Sequence, residues 1–220
     1  LTLTGRDCGL EARAPMCGVP FHAADVYISK LVEQGFKVAI CEQLTEPNGR
    51  NLVERDVIKV VTAGTLTEDA LIDDKSNNFL ACVFADKEET AVSWVDITTG
   101  EFFVKEVSDD AKLADELLRI SPAEIICNAF AEKKFGESGM VKHKILPRFT
   151  VYAEGQFHYE IAKETLKKQF NVKNLAAFSL EGVRSAGSAA GALVAYLRET
   201  QMHSLKNITQ IRLEKSGEFM

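Results

Sequence analysis

Between Phe79 and Cys127 apolar runs follow one another at short, regular spacing, and this spacing restricts the folds open to the chain more than any other feature. Phe79–Ala85, Thr90–Thr98 and Gly100–Val107 read as three strands, the last two joined by the tight Thr98-Thr99-Gly100 turn. Such short connections join antiparallel neighbours, so the three form a meander. Helical patterning takes over at Asp109: Leu113, Leu117 and Ile120 form one stripe, Asp115 can reach Arg119 at i,i+4, and Ser121-Pro122 ends the element. Glu124-Ile125-Ile126-Cys127 is then a short buried strand, giving the order strand, strand, strand, helix, strand. A further strand is expected near Lys144–Tyr152, and a helix from about Phe157 to Phe170, where Ala162, Leu166 and Phe170 repeat. The last helix, about Gly182 to Gln201, carries almost no side-chain bulk between Ala186 and Ala192. Its Ala190, Leu193, Val194 and Leu197 form an apolar face, which suits a helix packed tightly on a sheet. Ile208–Leu213 reads as a strand or an extended link.

The first sixty residues have a different texture. Gly18-Val19-Pro20 is a rigid turn, and a helix begins at about Ala23 with Tyr27 and Leu31, and Ile28 and Val32, paired at i,i+4. Gly35 stops it. Phe36, Val38 and Ile40 then alternate with Lys37, Ala39 and Cys41 in the period of a half-buried strand. Leu1–Thr4 reads as a strand, Gly5–Ala14 as a loop, Glu46–Asn51 as a turn and Val57–Thr62 as a second strand. One helix on two strands makes a small α+β unit, with Tyr27, Leu31, Val38 and Ile40 as its expected core. The polar stretches Thr62–Asp69 and Asp73–Asn78 read as a linker and a boundary.

With 220 residues, 46% of them apolar, the chain can bury a core as one large domain or two small ones. Its formal net charge of −6 excludes a wholly nucleic-acid-gripping surface but leaves room for a local basic patch. Up to Thr65 there are seven basic and eight acidic residues, so almost all of the negative charge lies beyond. The five cysteines, Cys8, Cys17, Cys41, Cys82 and Cys127, are widely spaced without a CxxC pair, which favours reduced thiols in a cytoplasmic protein. No basic-then-apolar leader or long uncharged apolar run is present, so neither secretion nor a membrane span is supported. The chain starts at Leu1 without an initiator methionine, and is expected to be part of something longer.

The residues bear on several chemistries. A phosphate loop ending in Lys-Ser or Lys-Thr is missing, since glycine-rich Gly182–Gly191 contains no lysine. Three antiparallel strands, a helix, a parallel strand and further helices is the order of folds resembling ribonuclease H. In an active enzyme of that kind, Asp96 with Glu101 or Asp115 would hold divalent cations; as a structural residue Asp96 is simply polar on the meander. Cys41 with nearby His22 offers a nucleophile, but among apolar neighbours an inert buried thiol is the expectation. His143, His158 and His203 have no metal-ligand spacing. Arg6, Arg13, Arg50 and Arg55 lie in or beside loops, where guanidinium groups can approach phosphate.

Longer motifs resolve the choice. Met16-Cys17-Gly18-Val19-Pro20-Phe21-His22-Ala23, Leu31-Val32-Glu33-Gln34-Gly35 and Val38-Ala39-Ile40-Cys41-Glu42-Gln43 resemble the signature of the bacterial mismatch-repair family MutS. Val53–Val57, Thr62–Thr65 and Asp96–Phe102 resemble the same family in the same order. The resemblance implies that residues 1–61 are the rear, truncated part of a mixed α+β mismatch-recognition domain. Residues 62–207 would be a connector domain with a non-catalytic, ribonuclease-H-like α/β fold, and 208–220 the start of the core or lever domain. It implies a parent protein that binds mismatched double-stranded DNA under ATP control, probes the mismatch with a Phe-x-Glu wedge placed before Leu1, and works as a homodimer with the partner MutL docking on the connector. ATP and magnesium belong to the parent, with no cofactor, metal or catalytic residue in this part. By position in the family pattern, Thr4, Arg6, Met16, Gln43 and Arg55 are expected near DNA, mostly at the backbone.

Overall fold

A computed structural model describes residues 2–9, 11–46, 53–66, 77–202 and 205–214. The first part holds two separate hairpins and a helix. β1 (Thr4–Arg6) pairs antiparallel with β2 (Ala14–Met16), and after a single 3-10 turn at Phe21–Ala23 the helix α1 (Ala24–Glu33) leads to β3 (Val38–Gln43), which pairs antiparallel with β4 (Arg55–Val61). Gly35, at φ +88°, takes the left-handed position after the helix and donates its N–H to Val32 O at 2.8 Å, so it terminates α1 as its sequence position suggested.

Three expectations for this part are corrected. The strand expected over 1–4 is met only at Thr4, with Thr2 and Leu3 outside it, and the stretch 5–14 is not all loop, because Gly5 and Arg6 belong to β1 and Ala14 opens β2; Pro15, which cannot donate to a ladder, hid the second strand. Tyr27, Leu31, Val38 and Ile40 are only half-buried, and the enclosed positions are Val32 and Ser29, since one helix on two strands encloses little. Cys41 is exposed rather than buried. The β3–β4 register slips between Ile40 and Cys41, where Ile58 is left as the extra residue, and such a bulge breaks the alternation of faces. Leu1, residues 47–52 with Arg50 among them, the linker from 67 to 76, His203 and residues 215–220 lie outside the described residues.

The second part is a six-stranded mixed sheet between two layers of helices. β5 (Phe79–Ala85), β6 (Thr90–Asp96) and β7 (Phe102–Val107) form the expected antiparallel meander. The helix α2 (Asp110–Ile120) crosses to β8 (Glu124–Cys127), which lies parallel to β5, and β9 (Phe149–Val151) lies parallel to β8. Two short helices, α3 (Ala129–Phe135) and α4 (Gly139–Lys142), intervene and were not foreseen. The chain ends in α5 (Tyr159–Phe170), α6 (Arg184–Gln201) and β10 (Arg212–Glu214), which joins the sheet parallel to β7, for the order β10-β7-β6-β5-β8-β9.

Both faces of this sheet are covered, so its central strands are apolar on both sides. Leu80, Cys82, Val95, Val104 and Ile126 pack under α5 and α6, while Ala81, Val83, Trp94 and Ile125 pack under α2 and α3. Asp109 caps α2 by accepting from Lys112 N at 2.8 Å, and Ser121 ends it at φ 50°. Every residue of α6 from Ser185 to Leu197 is buried. Its small residues are what allow this: a Cβ on Gly191 would lie 2.4 Å from the Cα of Ala162 in α5.

Thr62–Leu66, read as the start of a linker, is packed rather than solvated. Thr62 is 1% exposed and Thr65 fully buried, and the two bond each other across a 3-10 turn at Ala63–Thr65.

Candidate functional site

The residues expected near DNA fall on the two hairpins. Thr4 stands directly opposite Met16 and donates its hydroxyl to Met16 O at 2.8 Å, with Arg6 on the same strand opposite Ala14. Gln43 stands directly opposite Arg55 at the end of the β3–β4 ladder where the connection between the two strands begins, and its Nε2 donates to Thr45 O at 2.9 Å. Four of the five residues thus form two cross-strand pairs. All five side chains are exposed, and the pairs belong to different sheets. Neither Arg6 nor Arg55 takes part in an ion pair among the described residues, so both guanidinium groups are available to an oxyanion.

The metal-site alternative finds a different arrangement. Asp96, 1% exposed at the end of β6, spends both oxygens on the protein: Oδ1 accepts from Thr98 N at 2.8 Å, from the Thr98 hydroxyl and from Thr99 N, and Oδ2 accepts from Asn78 N at 3.2 Å. It locks the β6–β7 turn and ties it to the segment leading into β5. Among the described residues no group of three ligand-type side chains is placed to hold a metal ion. Cys41 and His22 are both exposed, and no described interaction joins them.

A polar node that the sequence does not announce connects the two parts. Glu124, 8% exposed at the start of β8, accepts at Oε2 from the Thr62 hydroxyl and from Gly64 N (3.1 Å), and at Oε1 from the Tyr196 hydroxyl of α6 (2.7 Å). Lys37, just before β3, donates to the same Tyr196 oxygen at 2.9 Å and lies 3.6 Å from Glu124 Oε1. Burial and the neighbouring Glu124 carboxylate push the Tyr196 hydroxyl well above the usual tyrosine range, so it stays a donor. Gly64 is required here, because a Cβ would lie 2.8 Å from the Leu80 side chain and 3.1 Å from that of Glu124. The only available signal was a glutamate opening an apolar strand, which names no partners.

The letters Phe-x-Glu do occur, as Phe130-Ala131-Glu132 inside α3 and as Phe135-Gly136-Glu137 at its end, but Ala131 and Phe135 are buried and both stretches lie far along the chain from the hairpins. No helix among the described residues is long and apolar enough to cross a membrane.

Comparison with known proteins supplies the lineage. Two family models match in order, MutS domain I over residues 1–70 and MutS domain II over residues 78–209. The DNA mismatch repair protein MutS of Acetivibrio thermocellus is 39% identical over 230 residues, covering 100% of this chain and 25% of that protein. Its counterparts from Lachnoclostridium phytofermentans and Caldanaerobacter subterraneus subsp. tengcongensis are 38% and 40% identical, each over 100% of this chain and 24% and 25% of their own length. The chain therefore spans about a quarter of the curated relatives it matches. A crystal structure of the Thermoplasma acidophilum Pelota protein aligns over 82% of this chain and 77% of its own, at 11% identity and a TM-score of 0.26, too low to carry an argument. On the two consecutive domain matches and the identity along the whole of this chain, the chain belongs to the MutS mismatch-repair family.

Proposed function

We propose that this chain is the mismatch-domain scaffold and connector of a DNA mismatch-repair protein that binds mismatched double-stranded DNA under the control of ATP. Residues 1–61 are the rear of the mismatch-recognition domain, 62–207 the connector and 208–220 the start of the core domain. The observation that carries the reading is the match of MutS domains I and II in order, over 1–70 and 78–209. The connector's ribonuclease-H-like architecture is supported by the strand order β7-β6-β5-β8-β9, with β6 antiparallel and β8 parallel to β5. Its lack of catalysis is supported by Asp96, whose oxygens are taken by turn donors. Thr4, Arg6, Met16, Gln43 and Arg55 face the duplex from the two hairpins, chiefly at phosphates. ATP with magnesium, the homodimer contacts and MutL docking belong to the parent protein, the last through the connector, and the exposed thiols suit a cytoplasmic location.

The test is an anisotropy titration of the 220-residue chain with homoduplex DNA and with the same duplex carrying one mismatch. Weak, salt-sensitive binding without mismatch preference is expected, and Arg55→Ala lowers the salt slope by about 1. Tight, mismatch-selective binding by this chain, or a slope unchanged in Arg55→Ala, overturns the assignment.

A further inference from the structure

At the carboxyl ends of β5 and β8 the sheet opens into a hollow of about 420 Å³ that none of the chemistry above uses. Carboxyl ends of strands are where open α/β sheets expose a crevice. The rim carries four carboxylates, Asp86, Glu88, Glu89 and Glu154, against the single guanidinium of Arg184. Two of them are occupied: Asp86 Oδ1 accepts from Glu88 N and Glu89 N, each at 2.8 Å, and Glu154 Oε2 accepts from Ala129 N at 3.0 Å. The side chains of Glu88 and Glu89 are exposed and make no hydrogen bond or ion pair among the described residues.

Two further observations point to a ligand. Ser188 of α6 lines the hollow; the residue is only 2% exposed, and its hydroxyl makes no hydrogen bond among the described residues and is left to whatever enters the hollow. The apolar lining is aromatic: Phe84, the buried Phe157, and Phe130, which is 40% exposed at the rim. Ring faces attract cations, and a hydroxyl can accept from an ammonium or guanidinium donor.

We propose that this hollow receives a lysine or arginine side chain presented by a protein partner. The alkyl stem lies along the phenylalanine rings, the cationic head meets Glu88 and Glu89, and Ser188 accepts a hydrogen bond from it. The net negative rim repels phosphate, so nucleic acid is excluded as the occupant. The inference is independent of the DNA-binding reading, because it rests on groups at the opposite sign of charge and in a different part of the chain.

The experiment follows backbone amide NMR shifts of the 220-residue chain during titration with N-acetyl-lysine methylamide, N-acetyl-arginine methylamide and uncharged N-acetyl-norleucine methylamide. Saturable shifts centred on residues 84–89, Phe130 and Ser188 are expected with the two cationic probes only, with binding weakened by added salt. The Glu88→Gln, Glu89→Gln double variant, which leaves the Asp86-capped turn and the melting temperature unchanged, weakens binding about fivefold. An equal response to the norleucine probe, shifts scattered over the surface, or unchanged affinity in the double variant overturns the proposal.

Discussion

Replacing Glu124 by alanine separates a structural node from an incidental ion pair. The carboxylate is the acceptor for the Thr62 hydroxyl, for Gly64 N–H and for the Tyr196 hydroxyl. Thr62 and Tyr196 are 1% and 5% exposed, so water cannot replace the lost acceptor. A buried donor left unpaired costs about 1–3 kcal/mol; Gly64 N–H and the Tyr196 hydroxyl are stranded, while the Thr62 hydroxyl can turn to Thr65 Oγ1 at 3.0 Å. The variant also relieves the cost of holding a carboxylate out of water, so the net loss is about 2–4 kcal/mol. Lys37 is different: its side chain is 47% exposed, and it can turn to solvent when its partner is gone. Lys37→Met should therefore cost only about 0–1 kcal/mol. The single tryptophan, Trp94, is 2% exposed in β6 and reports unfolding of the large sheet by fluorescence. In urea, with a slope of about 3 kcal/mol per molar, Glu124→Ala should lower the midpoint by about 1 M. A Glu124→Ala variant within about 1 kcal/mol of the parent, or a Lys37→Met variant that costs as much as Glu124→Ala, would refute the node.

Other outcomes follow from the packing and the charges. Gly191→Ala places a methyl 2.4 Å from the Cα and Cβ of Ala162, so α5 and α6 must part, at a cost of about 1–3 kcal/mol or more; a melt indistinguishable from the parent would refute the close approach. Cys8, Cys17 and Cys41 are exposed while Cys82 and Cys127 are buried, and burial, with Glu132 and Glu154 nearby, pushes the Cys127 thiol up to about 12. Ellman's reagent at neutral pH should count three fast thiols in the native chain and five after denaturation, and a fourth fast thiol would contradict the assignment. Burial tends to raise the Glu116 carboxyl, but hydrogen bonds from Lys105 Nζ at 2.7 Å and Arg119 Nε at 2.8 Å outweigh it and hold the group below its usual 4.5. The folded state then binds fewer protons than the unfolded one, so the stabilisation is present above that value and is lost as the pH falls through the lower folded one. Glu116→Gln should cost about 1 kcal/mol at pH 7, with the difference vanishing on acidification, whereas a pH-independent difference would exclude the mechanism.

The large sheet was legible because its strands signal their own limits. Phe79–Ala85 and Glu124–Cys127 are apolar on both faces, and their bounds follow from the sequence alone. Asp109 announces α2 because a short acidic side chain just before an apolar stripe can accept from the first turn. The short α3 has a cap as well, Asn128, which accepts from Ala131 N, but in seven residues only Ala131 and Phe135 are buried, too few for a period behind the cap. The bulge at Ile40/Cys41 depends on pairing with a distant strand, so the exposure of Cys41 could not be read locally. The same holds for the candidate sites. Thr4 and Met16, or Gln43 and Arg55, become pairs only once register is known. Glu124 meets residues 62 and 72 positions away, beyond any local pattern.

The last strand has a consequence for how the molecule behaves among its copies. Without β10, the outer side of β7 would present a row of unpaired amides and carbonyls, the kind of border along which sheets of neighbouring molecules fuse. β10 lies on that border for the three residues Arg212–Glu214, paired with Phe103–Lys105, and is held in place from behind. Asn207 donates its side-chain amide to Ile97 O, Ile208 and Ile211 are buried, and Asn207 O sits so close to Gly100 that a Cβ there would lie 2.4 Å from it. Gly100 is therefore more than a turn residue: by leaving room for the returning backbone it lets the fold stitch its own hem, and a bulkier residue there would leave the hem open to strangers.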